Sequence, residues 1–486
     1  MHVIGSWRTL FTLGAIAATV SRRFSSTDCS VKPNILFIMC DQLRADALSC
    51  TGSWVKTPNV DRIARDGVRF SNCVTNSPVC LPARVSLATG RYPHDTGVWD
   101  NCPYELPEGT PTWMAAIRDA GYRTSLFGKT ALHRRGPDLR KAEHVLHSYG
   151  LDDVDEIRGP RASVDTICHM TARWDSLGLL EAFRKDIQER VGKNKTLVRP
   201  SPLPLAEYYD VYVGQQAKNY LRDYKRSEPW FCWVSFAGPH EPWDTPEPYA
   251  SMYRANDMPE PIKRPRARER GPKGELDQKF AESRGQIDNA RELRASYAGK
   301  VTLIDEQIGQ ILMEIETRDE SERTVILFTS DHGEMNGDYD LIHKSNFLNP
   351  AVRIPLIASA PEIKKSSLAG RIIDTPVELF DAGPTLSDLA GARINYTPFA
   401  RSFVRVLQEA NIEHRPFAIS EFALEMMYLD RDWKLVLNRD GEPYRLFDVK
   451  KDPLETEDLI GRKEYENLIA ELKSKLLDRR AQTQDG

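Results

Sequence analysis

The stretch NILFIMC, residues 34–40, leaves almost no face for water. A strand with one wet face alternates apolar and polar residues; an unbroken apolar run marks a strand covered on both sides. Four more such runs follow: TSLFG (124–128), WFCWVSFA (230–237), TVILFTS (324–330) and IPLIASA (354–360). Helical patterns lie between them. One is NVDRIARDGVRF; a longer one, about 295–316, sets Tyr297, Val301, Ile304, Ile308, Ile311 and Ile315 on one face. Buried strands alternating with helices predict an α/β fold, a large mixed, mostly parallel sheet flanked by helices on both faces. Near the end, DWKLVLNRDGEPYRLFDV reads as two strands joined by a turn at 439–442, and EYENLIAELKSKLLDRRAQ as an amphipathic helix. These predict a small C-terminal α+β subdomain with antiparallel strands. The expected division is a targeting segment at 1–30, a catalytic α/β domain at 33–390 and the subdomain at 391–486.

Four of the five apolar runs end in chemistry. Asp41 and Gln42 follow the first, Lys129 and then His133 the second, His240 the third, and Asp331, His332 and Glu334 the fourth. In open α/β sheets ligands bind beyond the carboxyl ends of the strands. One Asp or His after a strand is commonly a turn or cap residue; four strands delivering such groups to one edge point to a site. Asp41, Gln42 and Asp331 are hard oxygen donors suited to calcium, magnesium or manganese, and His332 adds a nitrogen that tilts the set toward manganese. No Cys-x-x-Cys or His-Glu-x-x-His suggests zinc, and glycine-rich nucleotide loops are absent.

PVCLPARVSLATGR, residues 78–91, holds a thiol and two arginines where a helix can begin, just after Pro82. A helix N-terminus favours an anion, and Arg84 and Arg91 would add fixed positive charge. Read alone, Cys80 is a candidate low-pKa thiolate. The order Cys-x-Pro-x-Arg continuing to Thr-Gly-Arg resembles the sulfatase signature, in a family within the alkaline phosphatase superfamily. PNILFIMCDQLRADAL, TPNVDRIARDGVRFSNC, FAGPHEPW, TSDHGEMNGDYDLIHKSN, DAGPTLSDLAG and WKLVLNRDGEPYRLFDVKKDPLETEDL stand in that family's order, so the likeness covers about 33–460.

The resemblance implies that a formylglycine-generating enzyme converts Cys80 to an aldehyde. One hydroxyl of its hydrate, held on the cation and by Arg84, attacks sulfur, and the other then releases sulfate. It implies one divalent cation, Ca2+ ahead of Mn2+ or Mg2+, held by Asp41, Gln42, Asp331, His332 and the converted Cys80. Arg84, Lys129 and Lys344 would stabilise the sulfuryl oxygens, and His240 or Lys344 would protonate the leaving oxygen. Many members carry two aspartates at the Asp41-Gln42 position and Asp-Asn at the Asp331-His332 position; the Gln and His forms are similar to the choline-sulfatase and phosphonate monoester hydrolase branches. A family histidine follows the lysine after one residue; Ala131 stands there, so His133 is the candidate. His343, just before Lys344, either supports the site from behind or faces the core, and the second is expected. The implied reaction is hydrolysis of an aryl or glycan sulfate. The alternatives are phosphonate monoester or phosphodiester hydrolysis on the same scaffold and, behind these, a non-catalytic binding protein.

Composition sets outer limits. The 486 residues, 41% hydrophobic and 28% charged, can bury a large core. A net charge of −4 gives no basis for a nucleic-acid partner, and eight cysteines are too sparse for a disulfide scaffold. Oligomeric state is not readable. Residues 1–30 lack an acidic residue until Asp28, and TLFTLGAIAATV after Arg8 resembles a secretory signal, so export (secreted, periplasmic or lysosomal) is expected, with a cytoplasmic protein as the alternative. The charged region 258–294, with its basic run KRPRARER, reads as a solvated insertion or lid that could border the site.

Overall fold

A computed structural model describes residues 32–133, 136–192, 195–265, 272–283, 287–409 and 411–484. The expected targeting segment, and Arg266–Arg270 of the basic run, lie outside the described residues.

An eight-stranded sheet forms the centre. Its order across the molecule is Asp153–Ile157, Arg123–Lys129, Trp230–Pro239, Asn34–Asp41, Thr324–Ser330, Leu356–Ser359, Val68–Phe70 and Arg371–Ile373. The first five run parallel. Leu356–Ser359 is antiparallel to both neighbours, and Arg371–Ile373 is again parallel to Val68–Phe70. The unbroken apolar run has its cause here. Leu36, Ile38 and Cys40 enter one core beneath the helices Pro58–Asp66, Tyr209–Asp223 and Ala290–Thr317. Ile35, Phe37 and Met39 enter another, beneath Cys80–Thr89, Trp113–Asp119 and Ala382–Leu389.

Two local expectations are corrected. NVDRIARDGVRF is not one helix: it stops at Asp66, and Val68–Phe70 is a strand. Gly67 permits the change, because a Cβ there would lie 2.3 Å from the Ala358 carbonyl oxygen. The helix expected after Pro82 begins at Cys80. Proline is tolerated in a first turn, where its missing N–H would have had no intrahelical partner.

The C-terminal part is a four-stranded antiparallel meander, Ala418–Phe422, Glu425–Leu429, Trp433–Leu437 and Pro443–Asp448, with the helix Glu466–Ala481 against it. Its other face shares a core with Val79, Phe347 and Leu348, so it buttresses the loops around the site. The described part of 258–294 is more than solvated insertion. It contains the helix Glu275–Glu282, whose Leu276 joins that core and whose Asp277 pairs with Arg445. Among the described residues no helix is long and apolar enough to cross a membrane.

Candidate active site

The helix Cys80–Thr89 is buried along its whole length. Gly90 ends it in the left-handed region, and a Cβ there would meet Pro398 at 2.5 Å. At its start the Leu81 N–H donates to Asn101 Oδ1 at 2.9 Å. Cys80 thus sits on the first turn, aimed at the carboxyl ends of the two central strands. Its Sγ lies 3.1 Å from His332 Nε2 and 3.8 Å from Asp41 Oδ1.

Asp41, Cys80, Asp331 and His332 each offer one ligand atom, all within 4.8 Å of one another, and all four residues are buried. Two buried carboxylates this close need cations. Arg84, fully buried, supplies one. Its Nε donates to Asp331 Oδ2 at 2.8 Å, its NH2 group lies 3.5 Å from Asp41 Oδ2, and its NH1 group donates to the Lys129 carbonyl at 2.6 Å and Ser235 Oγ at 3.1 Å. Lys129 pairs with Asp41 as well. Burial raises the Asp331 carboxyl, and so does Asp41, but His332, Arg84 and Lys129 outweigh them and hold it below its usual range. Burial and Asp41 push the Cys80 thiol up; Lys129, Lys344 and His332 prevail and leave it well below the ordinary thiol value.

This donor set fits a divalent cation. His332 Nδ1 lies 3.0 Å from the Gly333 carbonyl; with its proton there, the Nε2 lone pair faces the two carboxylates, the orientation a metal-bound imidazole takes. Carboxylates with one imidazole suit calcium, magnesium or manganese. The Gln42 amide, expected in this set, is engaged otherwise: its Oε1 accepts from Lys344, and its Nε2 donates to Glu241 at 2.8 Å and to Glu334.

A cavity of about 750 Å³ opens over the cluster, lined among others by Cys80, Lys129, His133, His240, His343 and Lys344. Burial lowers the Lys344 ammonium, but Cys80, Glu241 and Asp41 raise it above its usual value. Burial likewise opposes the Lys129 charge, and Asp41 and Cys80 more than restore it. Both are therefore held as cations. His240 Nδ1 donates to the Glu241 carbonyl at 2.7 Å, and its Nε2 has no partner among the described residues. His133 borders the cavity, its Nε2 2.8 Å from Glu156.

Two expectations change. Arg91 does not flank Cys80. It closes the far end of a ten-residue helix, about 15 Å along the axis at 1.5 Å per residue, and pairs with Asp95 at 2.7 Å. His343 does not face the core; it lines the cavity, with Nδ1 3.2 Å from Glu241 Oε1. Sequence reasoning placed Glu334 at this edge without giving it a role, and it missed Glu241, Arg158, Arg161 and Lys279. Glu241 directly follows His240, and that adjacency was the available signal.

Comparison with known proteins agrees with this geometry. A family model described as Sulfatase matches residues 33–392, and one described as N-sulphoglucosamine sulphohydrolase, C-terminal, matches 337–482. An arylsulfatase of Clostridium perfringens is 28% identical over 481 residues, covering 92% of this chain and 94% of its own length. A choline-sulfatase of Rhizobium meliloti is 30% identical over 454 residues, covering 88% and 82%. The crystal structure of a phosphonate monoester hydrolase of Agrobacterium radiobacter superposes with a TM-score of 0.76 at 27% identity, covering 93% of this chain and 96% of that one.

Proposed function

The chain belongs to the sulfatase family of sulfuric ester hydrolases, and from that premise we propose that it cleaves aryl or glycan sulfates with a formylglycine made from Cys80 and a divalent cation held by Asp41, Asp331 and His332, Gln42 turning in as a further oxygen donor. The observation that carries this reading is the convergence of Cys80 with two buried carboxylates, an imidazole and two ammonium groups at the floor of one cavity. When bound beside the converted Cys80, the cation would supply adjacent positive charge that makes a hydroxyl of the hydrated aldehyde acidic and so nucleophilic.

The chain's own residues do the rest. Lys129 and Lys344, both on the cavity lining, bind the sulfuryl oxygens and stabilise charge that grows as the ester bond breaks. Arg84 works beneath them, fixing Asp331, Asp41 and the Lys129 backbone at once. His240 is the proton donor. Its Nδ1–H is spent on the Glu241 carbonyl, so Nε2 of the imidazolium is the atom that gives a proton to the leaving oxygen. Lys344, held as a cation, is the poorer acid. His133, turned to Glu156, borders the leaving-group side.

Phosphonate monoester hydrolysis is the second reading, favoured by the likeness to the Agrobacterium radiobacter enzyme and by a floor rich in fixed cations. The test is kcat/KM for 4-nitrophenyl sulfate and 4-nitrophenyl phenylphosphonate, using protein co-expressed with a formylglycine-generating enzyme. Preference for the sulfate supports the first reading, and preference for the phosphonate the second. Turnover of neither, in converted and metal-loaded protein, sinks both.

A further inference from the structure

Most cations around the cavity have partners. Arg161 pairs with Glu241 at 2.7 Å, Lys129 with Asp41, and Lys344 bonds the Gln42 amide oxygen. Two do not fit that account. Arg158 is the first residue beyond the strand Asp153–Ile157, whose Ile157 stands opposite Lys129 in the ladder. The next residue, Gly159, comes so near the active-site lysine that a Cβ there would lie 3.6 Å from Lys129 Nζ. The Arg158 side chain is 13% exposed, and its nearest carboxylate oxygen, Glu156 Oε1, is 4.0 Å away, beyond hydrogen-bond reach. Glu156 is already satisfied: Oε1 accepts from Thr130 and Oε2 meets His133. Burial raises the Glu156 carboxyl, but the Arg158 charge and His133 hold it below its usual range, so Arg158 and Glu156 attract at a distance. Among the described residues none of the five guanidinium donors has an acceptor within hydrogen-bond reach, and in a half-dry wall that is unfavourable unless something arrives to accept. This one lines the cavity.

The second cation is Lys279, which the helix Glu275–Glu282 carries to the same cavity. Among the described residues it forms no ion pair. The helix is anchored through Leu276 in the core of the C-terminal sheet and through Asp277 to Arg445, so Lys279 is presented from a fixed base. Against these stands, among the described residues, one acidic group on the lining without an ion pair, the exposed Asp165.

We propose that Arg158 and Lys279 form an anion subsite beside the reacting centre, and that the substrate is a sulfate ester bearing a second anionic group, a carboxylate or another sulfate. This rests on the sulfatase reading and narrows it to polyanionic esters. Arg158 would take the group through paired N–H donors, and Lys279 would act as a point charge.

The test compares phenyl sulfate with 3- and 4-(sulfooxy)benzoate by sulfate release. The carboxylate hardly changes the leaving oxygen, so the ratio of kcat/KM values reads the subsite. In the wild type the better carboxylated ester should be preferred by about tenfold or more, the worth of one charge-assisted hydrogen bond. Arg158→Ala and Lys279→Ala should each lower that ratio, and Arg158→Lys should restore part of it. A ratio near one in the wild type, or one that neither variant moves while Arg158→Ala lowers the melting midpoint, would overturn the proposal and leave Arg158 a partner of Glu156 alone. A calorimetric arm separates this from failure of the sulfatase reading. Benzene-1,3-disulfonate should bind more tightly than benzenesulfonate, and Arg158→Ala should remove the difference even if no ester is turned over. Equal binding of the two by the wild type counts against the subsite.

Discussion

Replacing Lys300 with methionine tests how the His240 loop is held. The Lys300 ammonium is buried and lies 3.0 Å from the His240 carbonyl, 2.7 Å from the Pro242 carbonyl, 2.9 Å from the Tyr209 hydroxyl and 3.0 Å from Asp244 Oδ1. Asp244 is equally buried. Removing one partner of a buried pair costs about 3–5 kcal/mol. The Tyr208 and Tyr209 hydroxyls, each 3.0 Å from Asp244 Oδ1, would still bond the carboxylate, so the loss should sit near the lower end, about 3 kcal/mol. Urea unfolding measures it. Lys300→Met with Asp244→Asn should recover much of the stability, because neither charge is then stranded. Catalysis should not recover, because the His240 and Pro242 carbonyls still lack their donor. If His240 gives its proton to the leaving oxygen, the defect must grow with the basicity of that oxygen. An alkyl sulfate should lose roughly 10²-fold in kcat/KM, while 4-nitrophenyl sulfate, whose leaving group needs no proton, should lose far less. Equal losses on both esters would refute this reasoning and reduce Lys300 to a structural residue.

Further outcomes follow from the same contacts. Burial pushes the Asp210 carboxyl up to about 7, against the Gly238 and Ala237 N–H groups and Lys300 that lower it. The native state then holds a proton that the unfolded chain has released between pH 4 and 7, so this group removes stability as pH rises through that window. Asp210→Asn should therefore gain on the wild type by up to about 4 kcal/mol from pH 4 to 7 and hold a constant advantage above it; a pH-independent difference in urea midpoints would contradict this. For chelated protein, titration with Ca2+, Mn2+ or Mg2+ should raise the melting midpoint as mass action requires, by about 2.7 kcal/mol of stability at a hundredfold excess over Kd. Asp331→Asn should abolish the shift, and a midpoint that no ion moves would remove the cation from the account.

The parts legible in sequence were those governed by local rules. Asn34–Asp41, Trp230–Pro239 and Thr324–Ser330 are buried on two sides, so burial wrote them as unbroken apolar runs, and the residues at their ends named the edge where the site lies. Leu356–Ser359 was legible as a strand but not in direction, because apolar runs do not encode whether a neighbour is parallel. Asp153–Ile157 was missed: at the sheet edge, half-exposed, its DVDEI does not read as a buried strand, and Arg158 was missed with it. Lys279 reaches the cavity only because Leu276 and Asp277 dock on a sheet some 150 residues away in sequence, a tertiary relation that no local pattern carries. Arg84 shows the opposite case. The motif named it, but only the fold reveals that two carboxylates and a backbone carbonyl occupy its guanidinium.

The central claim is that Cys80 is the precursor of the nucleophile. Protein co-expressed with a formylglycine-generating enzyme should be digested and the peptide spanning position 80 weighed. A mass matching the aldehyde or its hydrate, rising with sulfate release across preparations of differing conversion, is the predicted result. An unmodified thiol in protein that nonetheless turns over sulfate esters at full rate would contradict it.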